Sequence, residues 1–321
     1  MTGLANTGEL DLTWDFPIEF VTSVSKAYFA KYGIELLKSV LRYGPARSGV
    51  RIYCDASGEG CSLGEYVLPV GCEGRVRRLD LFSETRISAY LKRARPIVEG
   101  RIGPVSLDPD ERRRSPQYDY RWDALTFARK GFSLAHSLLS TRADYTFWVD
   151  SDLVLIKDMS STLLQKLFQG GAMVVFFGRR DAHTETGFVG FRSSMRQIQE
   201  FARLYLDYWE SGKVFSLSEG WTDCDVFDAV LHPLVMHGKI RAKNLSRFPR
   251  GHVIATSTMG AYLHHRKGGR KGMEISPTWE RPLEIWREMF KFSLDGLGIL
   301  ESTKALAAKI RKNRFRTRSS G

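Results

Sequence analysis

No stretch of this sequence is apolar and uncharged over the length that a membrane-crossing helix needs. Met1 to Asp15 also lacks the basic start and apolar run of a secretory leader. Neither spanning nor export is therefore expected, and the expected location is cytoplasmic. Cysteine is scarce: the four residues Cys54, Cys61, Cys72 and Cys224 have neither zinc-ligand spacing nor the density of a disulfide scaffold. A reducing compartment follows, with no structural role for sulfur. Acidic residues are outnumbered, 36 against 48 Lys and Arg, giving a formal charge of +12. That imbalance favours anionic partners, whether nucleotide phosphates, nucleic acid or an acidic membrane surface, without choosing among them.

What is present reads as a globular α/β chain. At 321 residues, 43% hydrophobic and 12% aromatic, it can bury one large core or two modest ones. Ile18 to Val24 reads as a strand, Tyr28 to Tyr43 as an amphipathic helix stopped by Gly44-Pro45, and Val50 to Asp55 as a second strand. Strand, helix and strand joined by short loops begin a parallel unit. A weaker third unit is expected through Glu65–Val70 and Val76–Leu81, followed by a helix over Glu84–Arg93. Between Arg95 and Tyr120 the pattern gives way to Pro, Gly, Asp and Arg, including Arg112-Arg113-Arg114, as in a solvated insertion or a lid.

A helix over Trp122–Ser140, striped with Leu125, Ala128, Phe132, Ala135 and Leu139, then delivers the chain to Tyr145-Thr146-Phe147-Trp148-Val149-Asp150-Ser151-Asp152. This is a buried strand that ends in carboxylates, and open α/β sheets bind ligands at that edge. Alternate residues of an extended chain point the same way, so Asp150 and Asp152 can face one hard cation, Mg²⁺ or Mn²⁺. Paired aspartates serve equally in turns and caps. Arg129 and Lys130 lie just off the helical stripe, where they are either diphosphate contacts or solvated charges.

Further along, Ala172–Phe177 reads as another buried strand and Met195–Gly212 as a helix whose aromatics suit a core. Thr184-Glu185-Thr186-Gly187 places polar groups and a glycine inside an apolar run, which suggests close approach to a ligand. Asp223-Cys224-Asp225 opens a helix and also reads as ordinary capping. His264-His265-Arg266-Lys267-Gly268-Gly269-Arg270-Lys271 offers an imidazole ligand, glycines that admit phosphate and cations that neutralise it. A flexible basic loop that binds nucleic acid is the competing reading of that segment.

In this order the motifs resemble a GT-A-fold nucleotide-sugar glycosyltransferase, most closely the glycogenin-like retaining family (glycosyltransferase family 8 type). Phe127-Ala128-Arg129-Lys130 precedes Asp150-Ser151-Asp152 as that family's donor-binding arginine precedes its Asp-x-Asp. Thr184 to Val189 is similar to its Asn-x-Gly-apolar segment with the asparagine replaced, and Asp223-Cys224-Asp225 to its Asp-Gln-Asp block with Cys224 in place of glutamine. His265 to Lys271 fits its His-x-x-Gly-x-x-Lys.

The resemblance spans Phe20 to Lys271 and implies a GT-A-like, mainly parallel sheet flanked by helices over residues 1–275, with a helical basic extension over 276–321. It further implies a nucleotide-sugar donor, a UDP-sugar before others, with Mn²⁺ or Mg²⁺ held by Asp150, Asp152 and His265. Arg129, Lys130, Gly268 and Lys271 would bind the diphosphate, and Asp223, Asp225 and Glu185 would stand at the reacting sugar or its acceptor. Two acceptors suit the charge: a glycan or lipid-linked sugar at the inner membrane, reached through the basic tail Leu297–Arg318, or hydroxymethylated DNA. The alternative function is a nucleic-acid-binding or nucleotidyl-transferring protein whose Asp-x-Asp serves phosphoryl chemistry.

Overall fold

A computed structural model describes residues 15–56, 62–104, 116–180, 182–247 and 252–266. The triple arginine at 112–114, Cys61, Gly268, Lys271, and the expected extension from Ser276 with its helices over Leu283–Phe292 and Glu301–Lys312 lie outside the described residues.

The chain opens with β1 (Ile18–Ser25), whose period-two alternation sends Ile18, Phe20 and Val24 to one face of the sheet and Val21 to the other. Ser25 caps α1 (Lys26–Tyr28), a π-helical turn covers Phe29–Gly33, and α2 (Ile34–Tyr43) ends where Gly44 breaks the pattern. The single helix expected up to Tyr43 is thus built in three parts. It leads to β2 (Ser48–Asp55), then to β3 (Val76–Asp80) and the short α3 (Leu81–Glu84).

Two expectations need correction here. Glu65–Val70 is no strand: Leu63–Glu65 forms a 3₁₀ turn, and beyond it Pro69 and the left-handed Gly71 (φ 83°) turn the chain, leaving Val67 and Val70 exposed. Conversely, the helix expected to end at Arg93 runs on as α4 (Ile87–Ile102). It carries Pro96 in its interior because Tyr90, Ala94, Val98 and Ile102 extend the buried stripe past the proline. Packing along that stripe outweighs the one backbone bond that proline removes.

The sequence then continues with α5 (Ala124–Ser140), β4 (Tyr145–Val149), β5 (Leu153–Leu155), α6 (Ser161–Leu167), β6 (Val174–Phe177) and β7 (Glu185–Phe191). It closes with α7 (Arg196–Glu210), α8 (Asp223–Met236), β8 (Ala242–Asn244), α9 (Val253–Thr256) and β9 (Leu263–His265). Seven strands form one sheet in the order β3-β2-β1-β4-β7-β6-β8. β3, β2, β1 and β4 run parallel, β7 is antiparallel to both β4 and β6, and β8 is parallel to β6. The expected mixed, mainly parallel sheet flanked by helices is the architecture found.

Each face of the sheet has its own core. Val21, Tyr53, Trp148 and Val189 pack against α4, α5, α7 and α8. Phe20, Ile52, Phe147 and Phe188 pack against α2, β5 and α9. On the first face α5 and α7 meet so closely that a Cβ on Gly131 would lie 2.2 Å from Trp209 Nε1. The buried indole has no room to yield, so Gly131→Ala should cost roughly 1–3 kcal/mol by overpacking. Chemical denaturation would show a lowered midpoint with an unchanged slope; equal stability would mean that the α5–α7 contact is looser than described.

Candidate active site

The site forms where β4 leaves the sheet. Asp150 N still donates to Gly187 O at 2.9 Å, which extends the β4–β7 ladder by one bond. The chain then turns through Ser151-Asp152, with Leu153 N donating to Asp150 O at 3.0 Å. β5 runs away from the main sheet and pairs antiparallel with β9, so that His265 lies opposite Leu153. Arg266 N donates to Asp152 O at 2.9 Å and locks this register. A 113-residue separation in sequence is thereby closed by a two-stranded ladder, and His265 Nε2 comes within 3.2 Å of Asp152 Oδ1.

Asp150, Asp152 and His265 each offer a ligand atom within 4.8 Å of the others. Two hard carboxylates with one imidazole suit Mg²⁺ or Mn²⁺, and the cluster is open enough to leave coordination positions for a ligand. Two details of the chain fit a cation there. His265 is buried and turns its Nε2, the nitrogen that would meet a cation, toward Asp152. Gly187 keeps the adjoining space clear, since a Cβ on it would stand 3.0 Å from His265 Cε1, 3.1 Å from Glu185 Oε1 and 3.4 Å from Asp150 Oδ2. Glu185 therefore faces the same opening as two of the ligands.

Behind the cluster lies a buried cation of the chain's own. Trp148 and Asp150 alternate onto the α5 face of β4, and Trp148 Nε1 donates to Asp150 Oδ1 at 2.8 Å. Lys130 reaches in from α5 with Nζ 2.8 Å from Asp150 Oδ1 and 2.8 Å from Asp223 Oδ2, while donating to Thr186 O at 2.9 Å. The Thr186 hydroxyl in turn donates to Asp223 Oδ2 at 2.5 Å. Burial pushes the Lys130 ammonium down, but Asp150 and Asp223 hold it well above its usual value. Burial, aided by Asp152 and Asp223, raises the Asp150 carboxyl, and Lys130 opposes that rise. Water hardly reaches Lys130 and Asp223, so these two charges must stabilise one another, with Asp150 joining them from its partly open position.

The remaining predicted residues fall on two sides of this centre. Arg129 is turned away from Lys130: its Nε lies 2.6 Å from Asp55 Oδ2 and its Nη1 donates to Leu125 O. Glu185, the first residue of β7, is paired with Arg179 and accepts from Gly187 N at 3.2 Å. Asp225 sits at the start of α8 and accepts from Thr222 N and Oγ1 at 3.0 and 2.6 Å, a capping box closed by Thr222 accepting from Asp225 N. The capping expected of this segment is present. Asp223, by contrast, spends its carboxylate on Lys130 and Thr186.

Sequence reasoning did not single out Arg179, His183, Asp228 or His252. His183 approaches Asp225 Oδ1 with Nδ1 at 3.4 Å. Asp228 accepts from Thr184 N at 2.8 Å, tying α8 to the start of β7. The His252 ring stands nearly perpendicular to that of His265, with centroids 5.4 Å apart. None of these lies in a spacing that signals chemistry; only tertiary structure brings them in.

No protein-family model and no curated protein matches the chain. Among solved structures it is similar to a galactosyltransferase, LgtC, in complex with donor and acceptor sugar analogues, at 14% identity over 70% of this chain and 73% of that one, TM-score 0.38. It is also similar to mouse xyloside xylosyltransferase 1 (12% identity, 71% and 85% covered, TM-score 0.40). A third similarity is to the bifunctional glycosyltransferase WbbM, at 13% identity and TM-score 0.42, covering 74% of this chain and 40% of that protein. Identities this low relate arrangements of strands and helices, so the chemistry of this chain is read from its own residues.

Removing the ammonium would leave Asp223 buried, and Asp150 half-buried, without their shared counter-ion. Lys130→Met should lower the unfolding free energy by about 3 kcal/mol, as breaking one partner of a buried ion network does. A loss below about 1 kcal/mol in urea denaturation would mean that water already solvates the two carboxylates.

Proposed function

We propose that this protein is a metal-dependent glycosyltransferase that moves a sugar from a nucleoside-diphosphate donor to an acceptor hydroxyl. The observation that carries this is the convergence of Asp150, Asp152 and His265 within 4.8 Å at the open edge of the sheet, with Lys130 and Asp223 directly behind. Asp150, Asp152 and His265 would hold a divalent cation, which when bound would supply Lewis-acid neutralisation of a diphosphate leaving group. The chain's own residues do the rest. Lys130 fixes the Asp150 carboxylate and keeps the local charge balanced. Gly187 leaves room for the donor beside Asp150, and Asp223 and Glu185, each held by a cation, present oxygens of fixed orientation toward sugar hydroxyls. Such preorganised groups favour an oxocarbenium-like transition state because they need no rearrangement as charge develops.

The glycogenin-like motif order supports a UDP-sugar as donor and Mn²⁺ or Mg²⁺ as metal, with Gly268 and Lys271 contributing to the diphosphate site. The charge of +12 supports an acceptor carried on an anionic surface, either a membrane-associated glycan or hydroxymethylated DNA. Among the described residues no helix is long and apolar enough to cross a membrane. The phosphoryl-transfer reading is disfavoured by two contacts: the further carboxylates Asp223 and Glu185 are taken by Lys130 and Arg179, where a two-metal centre would need one of them for a second cation.

Thermal unfolding against nucleoside diphosphates and their sugar conjugates, with and without Mn²⁺, tests this reading. A ligand that binds only the folded state stabilises it by about 2.7 kcal/mol at a hundredfold excess over its Kd. The expected shift needs both Mn²⁺ and one nucleotide, and disappears in Asp152→Ala. No shift with any donor would make the Asp-x-Asp a structural turn and move attention to the basic surface.

A further inference from the structure

Resting on the glycosyl-transfer reading, we infer that Arg179 is a specificity-determining residue. Together with Glu185 it reads a hydroxyl of the transferred sugar, and the pair restricts that sugar to a neutral one, excluding uronic acids.

The placement comes from the strands. β6 and β7 pair antiparallel with Phe177 opposite Glu185, so the chain that leaves β6 returns at the head of β7, and Arg179 meets Glu185 there. β7 in turn runs antiparallel to β4, and Asp150 N donates to Gly187 O, which sets that head against the end of β4. Alternate strand residues share a face, so Glu185 projects on the side that Gly187 leaves empty. The position that a Cβ on Gly187 would take lies 3.1 Å from Glu185 Oε1, 3.0 Å from His265 Cε1 and 3.4 Å from Asp150 Oδ2. Glu185 thus borders the same small space as two of the residues that would hold the cation. A sugar joined to a diphosphate held there has its ring beside that space.

Arg179 is fastened at one point. Its Nη2 donates to Glu185, no other hydrogen bond ties the guanidinium to the described residues, and its Nε is buried without an acceptor. Glu185 is better supplied, since its Oε1 also accepts from Gly187 N at 3.2 Å. The side chains are 19% and 5% exposed, so the pair is sealed at the carboxylate and partly open at the guanidinium. A buried ion pair adds little net stability over apolar residues of the same volume, and an unpaired N–H subtracts from it. Stability alone therefore does not call for an arginine here, whereas a ligand oxygen does. Lys130 and Arg129 cannot serve in its place, being committed to Asp150 and Asp223 and to Asp55.

The charge of the pair decides which ligand it takes. Glu185 offsets Arg179, so the two are neutral together. A carboxylate on the sugar would meet Glu185 and Asp150 with no uncompensated cation of the chain to receive it, and like charges so placed exclude a ligand strongly. A hydroxyl suits both members: its oxygen accepts from the guanidinium while its own proton goes to the carboxylate. A site built on such a pair also rejects a sugar that lacks the hydroxyl, because both polar groups are then left unpaired.

Calorimetric titration of the full-length protein with Mn²⁺ present gives Kd for UDP, UDP-glucose, UDP-galactose, UDP-xylose and UDP-glucuronate, and for GDP, GDP-mannose and GDP-mannuronate. The wild type should bind a neutral conjugate of one nucleotide about tenfold or more tighter than the bare nucleotide, and the uronate conjugate no tighter than the nucleotide. Arg179→Lys keeps the charge but loses the planar fork. It should weaken the neutral conjugate about tenfold and the bare nucleotide less than about twofold. Glu185→Gln uncovers the guanidinium and should reverse the order, with the uronate conjugate bound about tenfold tighter than the neutral one. Joining Arg179→Gln to Glu185→Gln removes both charges and should level the two conjugates. That double variant leaves no buried ion unpaired, so it keeps the test available should a single variant lose the fold, which melting temperatures report.

A uronate conjugate bound by the wild type as tightly as its neutral counterpart overturns the inference. So does a Glu185→Gln or double variant that folds and keeps the wild-type order, or an Arg179→Lys loss that is equal for nucleotide and conjugate, which would mark the pair as structural. Absence of Mn²⁺-dependent binding of every nucleotide and conjugate would instead remove the glycosyl-transfer reading itself, and the inference with it.

Discussion

Lys130 carries its ammonium to a place that water hardly reaches, and it remains charged there because Asp150 and Asp223 each meet it at 2.8 Å. That shared charge joins three elements that are distant in sequence: α5, the end of β4 and the start of α8. It also sets what each aspartate can do. One oxygen of Asp150 is occupied by Lys130 and Trp148, so the other is the one left to face Gly187 and the opening beside it. Asp223 is neutralised and held by Thr186, which turns it from a free anion into an oriented acceptor. The cost of desolvating three charges is offset only while all three stay in place, so the network specifies geometry more than it adds stability.

The second constraint is the short ladder between β5 and β9. Asp150 and Asp152 are given by the run of the chain, whereas His265 depends on two strands of three residues each. Their register is fixed by Leu153, Leu155 and Leu263, all buried in the core beneath α2 and α9. A slip by one residue would exchange His265 for His264 or Arg266, because strand side chains alternate. Hydrophobic packing of Leu153, Leu155 and Leu263, on the ladder face that His265 shares, thus decides which imidazole meets the carboxylates.

Much of this was legible in the sequence, for identifiable reasons. The strand into Asp150 was visible because an aromatic and β-branched run ending in acids has few other uses, and the mixed sheet followed from strand–helix alternation. Arg129 and Lys130 were visible as a pair but not as a choice: one residue of helical rotation, 100°, points Lys130 to the centre and Arg129 to Asp55. Asp225 was ambiguous in sequence and remains double in structure, both cap and neighbour of His183. α4 was misjudged because Pro96 reads as a stop, and the apolar stripe that carries the helix past it is weak. His183 gave no signal, since a lone histidine in a loop acquires meaning only through the carboxylate that folding places beside it.

Glycosyl transfer as proposed requires Asp150, Asp152 and His265 to hold a single cation against a diphosphate. Crystals grown with Mn²⁺ and UDP, with data collected at the manganese absorption edge, test it directly. The prediction is one anomalous peak bounded by the three side chains at about 2.0–2.3 Å, with the diphosphate oxygens completing its coordination. A manganese peak elsewhere, or a diphosphate bound away from these residues, would contradict it.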